Sequence, residues 1–287
     1  MMLSALHIMW NLYLNELIKV FSKWRTYIGF GAIGVVVPLV MWGFSVGGSG
    51  IQREMLDRLG NEFITTGNLA NGMWASHMLM NALFIHVPFL ITLVAGDVVA
   101  GEGTAGTFRI YLTRPVSRNR VLSTKLLAAA TYSTGLVAWL GILSLGLGNW
   151  WLGIGDVFLI SEEGILILPW DIALPRFALA YLFAFYTMLS VTALTFLFSV
   201  MVTNAIGPIV GTMAVLIVSL VLTVINIDAF QWFQQHLFTT HFNLWTFAFE
   251  DPIPWDKVGG GALNLGIYSA VFIAAAYSLF RRKDVLT

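Results

Sequence analysis

The chain has 287 residues, 58% of them hydrophobic and only 10% charged, and its 15 basic and 15 acidic residues cancel. An average soluble domain is about half apolar and about a quarter charged, so the balance is shifted toward what a bilayer demands. Zero net charge offers no global field for nucleic acid, and the absence of cysteine excludes disulfides, thiolate metal sites and a cysteine nucleophile.

Residues 1–26 predict an amphipathic helix, clearest from His7 to Thr26. Asn11, Asn15, Lys19 and Lys23 recur at every fourth position as a polar stripe, with Trp10, Leu14, Leu17, Phe21 and Trp24 turned away from it. Such a helix lies in a membrane interface with its apolar face in lipid; the alternative is a plain helix packed on protein. The same polar residues, together with Glu16, interrupt any leader-like apolar run.

Six apolar segments follow, each near the roughly 20 residues that cross a hydrocarbon core about 30 Å thick. They run from about Tyr27 to Val46, Met73 to Ala95, Val121 to Leu147, Phe177 to Met201, Ile206 to Ile227, and Val258 to Phe280. Pro38, Pro88 and Pro208 lie inside or near spans, where membrane helices tolerate them. The expected fold is therefore all-α: one transmembrane domain over residues 1–287, with a loop at 97–120 on one side and a loop at 228–257 on the other.

Basic residues give the orientation. Lys19, Lys23 and Arg25, then Arg109, Arg114, Arg118, Arg120 and Lys125, then Arg281, Arg282 and Lys283 fall on one side of six alternating spans. The other side has Arg53, Arg58, Arg176 and Lys257. Both termini are expected in the cytoplasm of a bacterial or archaeal cell, with the protein multi-pass in its plasma membrane. Eleven Trp and eight Tyr suit two water–lipid interfaces. The 228–257 loop is too short for a folded domain, and its aromatic stretch Phe230–Phe238 reads as an interfacial helix.

The loop between the second and third spans is the most informative stretch. It begins Gly101-Glu102-Gly103-Thr104-Ala105-Gly106-Thr107-Phe108-Arg109-Ile110-Tyr111-Leu112, continues Thr113-Arg114-Pro115-Val116-Ser117-Arg118, and runs on to Lys125. Thr107 to Leu112 predicts a short helix stopped by Pro115, and Ser117 a cap for the third span. Glu102, Gly106, Thr107, Leu112, Pro115, Ser117, Arg118 and Lys125 follow in order the pattern of type 2 ABC exporter permeases, which this loop resembles. Two features depart from that pattern: Gly103 to Ala105 replace a stretch that is often charged, and Thr124 stands where glycine commonly precedes the lysine.

The resemblance implies a permease subunit whose loop docks on a separate ATPase. In that setting Glu102, Arg109, Arg114 and Arg118 pair with charges on the ATPase, and Phe108, Ile110, Tyr111 and Leu112 supply apolar contact. Its implied partners are two copies of an ABC-type ATPase, a second permease copy or a related permease, and membrane lipid, with no nucleic acid. ATP and Mg are used by the ATPase, and no cofactor is expected on this chain. The chain itself lacks a phosphate-cradling loop: Ser123-Thr124-Lys125 has no glycines before it. It is therefore expected not to be an enzyme. A non-transporting scaffold or assembly factor, or an intramembrane enzyme, are the competing readings.

Within the spans, His77 and Asn81 sit one turn apart and are candidates to line a pathway, with structural hydrogen bonding as the alternative. His77 and His86, nine residues apart, point to opposite sides of a straight helix and cannot share a metal. Thr187, Ser190, Thr192, Thr195 and Ser199 in the fourth span read as helix-packing residues. The spans lack a charged pocket, which favours an apolar or amphipathic cargo.

Overall fold

The computed structural model describes residues 2–59, 69–104, 117–161, 164–224 and 231–282. These form α1 (Met2–Ser22), α2 (Trp24–Leu59), α3 (Gly72–Phe84), α4 (Val87–Ala95), α5 (Asp97–Thr104) and α6 (Arg118–Leu152). A hairpin of β1 (Val157–Ser161) and β2 (Gly164–Leu168) precedes α7 (Trp170–Met201), α8 (Ile206–Val224), the short α9 (Gln231–Gln234), a 3-10 segment (Phe238–Phe249) and α10 (Trp255–Arg282). Among the described residues, five helices are long and apolar enough to cross a membrane: the Trp24–Gly48 part of α2, then α6, α7, Ile206–Thr223 of α8, and α10. Their outward faces carry Val35, Leu39, Trp42, Ile217, Val221, Ile267 and Val271, all exposed. A continuous apolar exterior of this extent fits a multi-pass membrane protein.

The second expected span, Met73 to Ala95, is not one straight helix. It breaks after Phe84 and resumes at Val87, and the two pieces are bent by 53°. Pro88 explains the position: it has no N–H to give the carbonyl four residues back, which is that of Phe84, and its ring crowds that turn. The all-α expectation is corrected at one place, since β1 and β2 pair antiparallel from Val157 opposite Leu168 to Ser161 opposite Gly164. Val157 to Ile160 and Ile165 to Leu168 are apolar runs too short to span a membrane.

At the centre stands α7, packed against α4, α5, α6, α8, α10 and the 3-10 segment. Its hydroxyl residues are buried and hydrogen-bonded, as their spacing predicts. Thr192 shares a 2.7 Å bond with Ser133 of α6, and Ser269 of α10 donates to Ser190 at 2.8 Å. Ser199 Oγ donates to the Gly96 carbonyl at 2.6 Å and accepts from the amides of Val99 and Ala100, supplying the first turn of α5 with an acceptor its own backbone lacks. Elsewhere, α3 and α6 approach so closely that a Cβ on Gly72 would lie 2.2 Å from the Gly148 carbonyl oxygen. Small residues at such contacts let membrane helices pack without a hydrophobic drive between them.

Candidate functional site: a buried charge cluster beside the basic loop

At one end of the bundle, the end of α1, the start of α2, α5 and the second turn of α6 converge. The corner between α1 and α2 is fixed locally. Thr26 Oγ1 donates to the Val20 carbonyl, and Tyr27 Oη donates to that of Phe21 at 2.9 Å. This corner brings Lys19 and Lys23, at the end of the polar stripe of α1, against acidic residues, while Asn11 and Asn15 stay exposed. Lys19 Nζ lies 3.0 Å from Glu102 and 3.2 Å from Glu16, and Lys23 Nζ lies 2.7 Å from Asp97. Arg25 adds a longer contact to Asp97 at 3.5 Å.

Lys125 is the hub. It is fully buried, and its ammonium group sits 2.8 Å from Glu16 Oε2, 2.7 Å from Glu102 Oε1 and 3.2 Å from the Val98 carbonyl. An ammonium has three donors, and these three acceptors match them. Leaving a buried charge without a partner costs several kcal/mol, so a lysine at this depth is tolerable because both carboxylates are there to meet it. Glu16 and Glu102 are themselves buried, whereas Lys19 and Lys23 keep roughly half their side chains in contact with solvent. For Lys19, burial pulls the pKa down, but Glu102 and then Glu16 outweigh it and hold the ammonium above the ordinary lysine value of 10.5. The cluster encloses only about 20 Å³ of free space, room for one water at most. It is built as a clamp, with no room for a ligand larger than water.

Of the residues singled out from the sequence, Glu102, Ser117 and Arg118 are described; Gly106, Thr107, Phe108, Arg109, Tyr111, Leu112, Arg114 and Pro115 lie outside the described residues, as does the short helix expected from Thr107 to Leu112. Glu102 faces into the bundle, and its ion pairs to Lys19 and Lys125 lie within the chain. Ser117 does occupy the N-cap of α6, with extended backbone angles, although its side chain makes no capping bond. Arg118 donates to the Arg281 carbonyl at 3.4 Å, and Arg281 donates back to Asn119 Oδ1 at 3.0 Å, tying the start of α6 to the end of α10. His77 is buried beside a cavity at the opposite end of the bundle, whereas Asn81 is exposed on α3.

Sequence reading missed Glu16, Asp97 and the burial of Lys125. The available signal was scarcity: Asp97 and Glu102 stand five residues apart beside a long apolar run, and Glu16 adjoins the basic stripe.

The profile of the family described as "Protein of unknown function (DUF2705)" matches residues 55–286, most of the chain. The chain belongs to this family. It is also similar to the protein named "Uncharacterized protein YhcI" of Bacillus subtilis (strain 168), with 23% identity over 317 aligned residues, covering 96% of this chain and 99% of that protein. The family match takes in α3 to α10 and with them Asp97, Glu102 and Lys125, but begins at residue 55, within α2, and so leaves out Glu16, Lys19 and Lys23.

Proposed function

We propose that this DUF2705 chain is the membrane-spanning permease subunit of an ABC-type exporter. In this reading α3 and α4 together make one bent span, giving six, and α1 lies along the cytoplasmic interface. Both termini face the cytoplasm. Two permeases, identical or related, form the pathway, and two separate ATPase subunits bind below and hydrolyse ATP with Mg. Residues 105–116 are the part that docks.

One observation carries the reading: Glu102 and Lys125, the first and last members of the ordered motif, are ion-paired at 2.7 Å. The docking segment is thereby strapped at its base to a clamp that also grips α1 and α2. Movement imposed on such a segment is delivered to three spans at once, whereas a slack loop would absorb it. Glu102 then acts by anchoring the segment, while the aromatic and basic residues beyond it meet the ATPase. Interfaces of this kind favour aromatic and Arg anchors.

Co-expression with a P-loop ATPase of the same organism tests this. The two should co-purify from membranes, and the permease alone should hydrolyse no ATP above background. A chain that purifies without any ATPase, at full yield and in a stable form, would contradict the proposal and favour a scaffold.

A further inference from the structure

The opposite end of the bundle holds a cavity of about 510 Å³, bounded by α3, the hairpin, the end of the 3-10 segment and the start of α10. That volume is in the range of sites that enclose small molecules. Its walls are formed in part by Leu159, Leu166 and Phe249. Three charged side chains line it, Glu250, Asp251 and Lys257, all exposed, and neither Glu250 nor Lys257 has an ion-pair partner among the described residues. Asp251 beside them is held 3.1 Å from Arg176, which also donates to the carbonyls of Ala248 and Glu250, so the rim is braced.

His77 lines the same cavity and is 8% exposed, and its Nδ1 has no hydrogen-bond partner among the described residues. Its ring rests edge-on against Phe249, with centroids 4.8 Å apart. A buried polar atom left unmet is costly, and native structures seldom retain one without a reason. An apolar wall, a buried hydrogen-bonding ring, a carboxylate with no ion pair among the described residues and an ammonium over the Phe247 ring, 6.0 Å from its centroid, are together complementary to one chemistry.

We propose that this cavity binds a small zwitterion with an apolar body. Its ammonium meets Glu250, its anionic group meets Lys257, and its apolar part lies against Leu159, Leu166 and Phe249 within reach of His77. A simple cation or anion would use one charge and leave the other unmet. The site does not depend on the transport reading, because binding is measured without the ATPase.

The test uses the full chain in phosphatidylglycerol nanodiscs, titrated calorimetrically with tri-leucine, its N-acetylated form and its C-terminal amide. Tri-leucine should bind saturably, and each capped form should bind about threefold to fivefold more weakly, the upper range for an ion pair with a solvent-exposed side chain. Glu250→Gln should abolish the preference for a free amine, and Lys257→Gln the preference for a free carboxylate. Both positions are exposed, so folding is not at issue. His77→Phe keeps the ring volume and should weaken all three ligands alike. Phosphatidylethanolamine added to the discs separates two sources of the same chemistry. If it competes with tri-leucine, the natural occupant is a lipid headgroup; if it does not, the occupant is a soluble molecule. Capped and free peptides binding equally, or both rim variants behaving as wild type, would overturn the proposal, as would a lack of any saturable binding.

Discussion

The two ends of this bundle treat charge in opposite ways. At the α1 end, Lys125, Glu16 and Glu102 are buried and face one another, and about 20 Å³ is left between them and their neighbours. At the hairpin end, Glu250 and Lys257 line about 510 Å³ of open space with no ion pair among the described residues. The same residue types thus make a clamp where the backbone brings them together and a receptive surface where it holds them apart. Burial decides which: the hub lysine is at 0% exposure, so its partners are obligatory, whereas the rim charges are solvated and can wait for a ligand.

The largest expected effect breaks the clamp. Lys125→Met removes the hub cation and leaves Glu16 and Glu102 as two buried carboxylates. Removing one member of a buried pair typically costs about 3–5 kcal/mol. Thermal unfolding of the detergent-solubilised protein should show it. A loss below about 1 kcal/mol would mean that the cluster is solvated in the membrane-embedded protein and is no clamp.

Next comes Tyr111→Asp in the docking segment, which puts a charge where the proposed function needs an apolar anchor. Such anchors carry about 2 kcal/mol or more, so ATPase co-purification should fall by more than about tenfold at an unchanged membrane level. Tyr111→Asp leaves the clamp intact, so it separates docking from folding. Equal co-purification by mutant and wild type would remove Tyr111 from the interface.

The cluster should also respond to alkali. Lys19 has its folded pKa raised, so its stabilising pairing is fully present below the unfolded value of 10.5 and is lost as pH rises through the folded value above it. Unfolding monitored from neutral pH upward should show no Lys19-dependent change until beyond about 10.5. A difference between wild type and Lys19→Met that vanishes already near neutral pH would contradict the pairing. The smallest effect belongs to Lys23→Ala, at about 0–1 kcal/mol, since a half-exposed cation contributes little and Arg25 still reaches Asp97.

How much of this was legible in the sequence depends on the range of the forces involved. The apolar runs are local and marked α2, α6, α7, α8 and α10 to within several residues at each end, apart from the C-terminal extension of α2 to Leu59. The hydroxyls of α7 were read as packing residues, because few other uses exist for Ser and Thr inside a bilayer. Pro38 and Pro88 looked alike, yet α2 runs unbroken through Pro38 while the chain breaks at the turn before Pro88. Whether a lost backbone bond bends a helix depends on neighbours that a one-dimensional reading cannot supply. The hairpin went unread for a similar reason, since Val157–Ser161 gains its structure from pairing with Gly164–Leu168.

The stripe Asn11, Asn15, Lys19 and Lys23 was legible as a stripe but not in its direction. Amphipathicity says that two faces differ and leaves open which one meets the protein. Here both faces are divided: Lys19 and Lys23 turn toward Glu102 and Asp97 while Asn11 and Asn15 are exposed, and Leu17 and Phe21 pack on the core while Trp10 and Leu14 are exposed. The stretch Phe230–Phe238 also read as lying in the interface. From Gln231 it makes one helical turn, after which Phe238, Phe242, Trp245 and Phe249 pack into the core. The aromatic residues were visible, but their partners on α3, α7 and α10 were not.

The central claim is that residues 105–116 meet an ATPase at the clamp end and not at the cavity end. The chain has no native cysteine, so single cysteines at Thr113 and, at the other end, Asp251 can each be treated with a thiol-directed crosslinker in membranes containing the co-expressed ATPase. A crosslink to the ATPase is expected from Thr113 and none from Asp251, with Asp251 alone labelled by an impermeant thiol reagent on intact cells. A crosslink from Asp251, or labelling of Thr113 from outside, would contradict it.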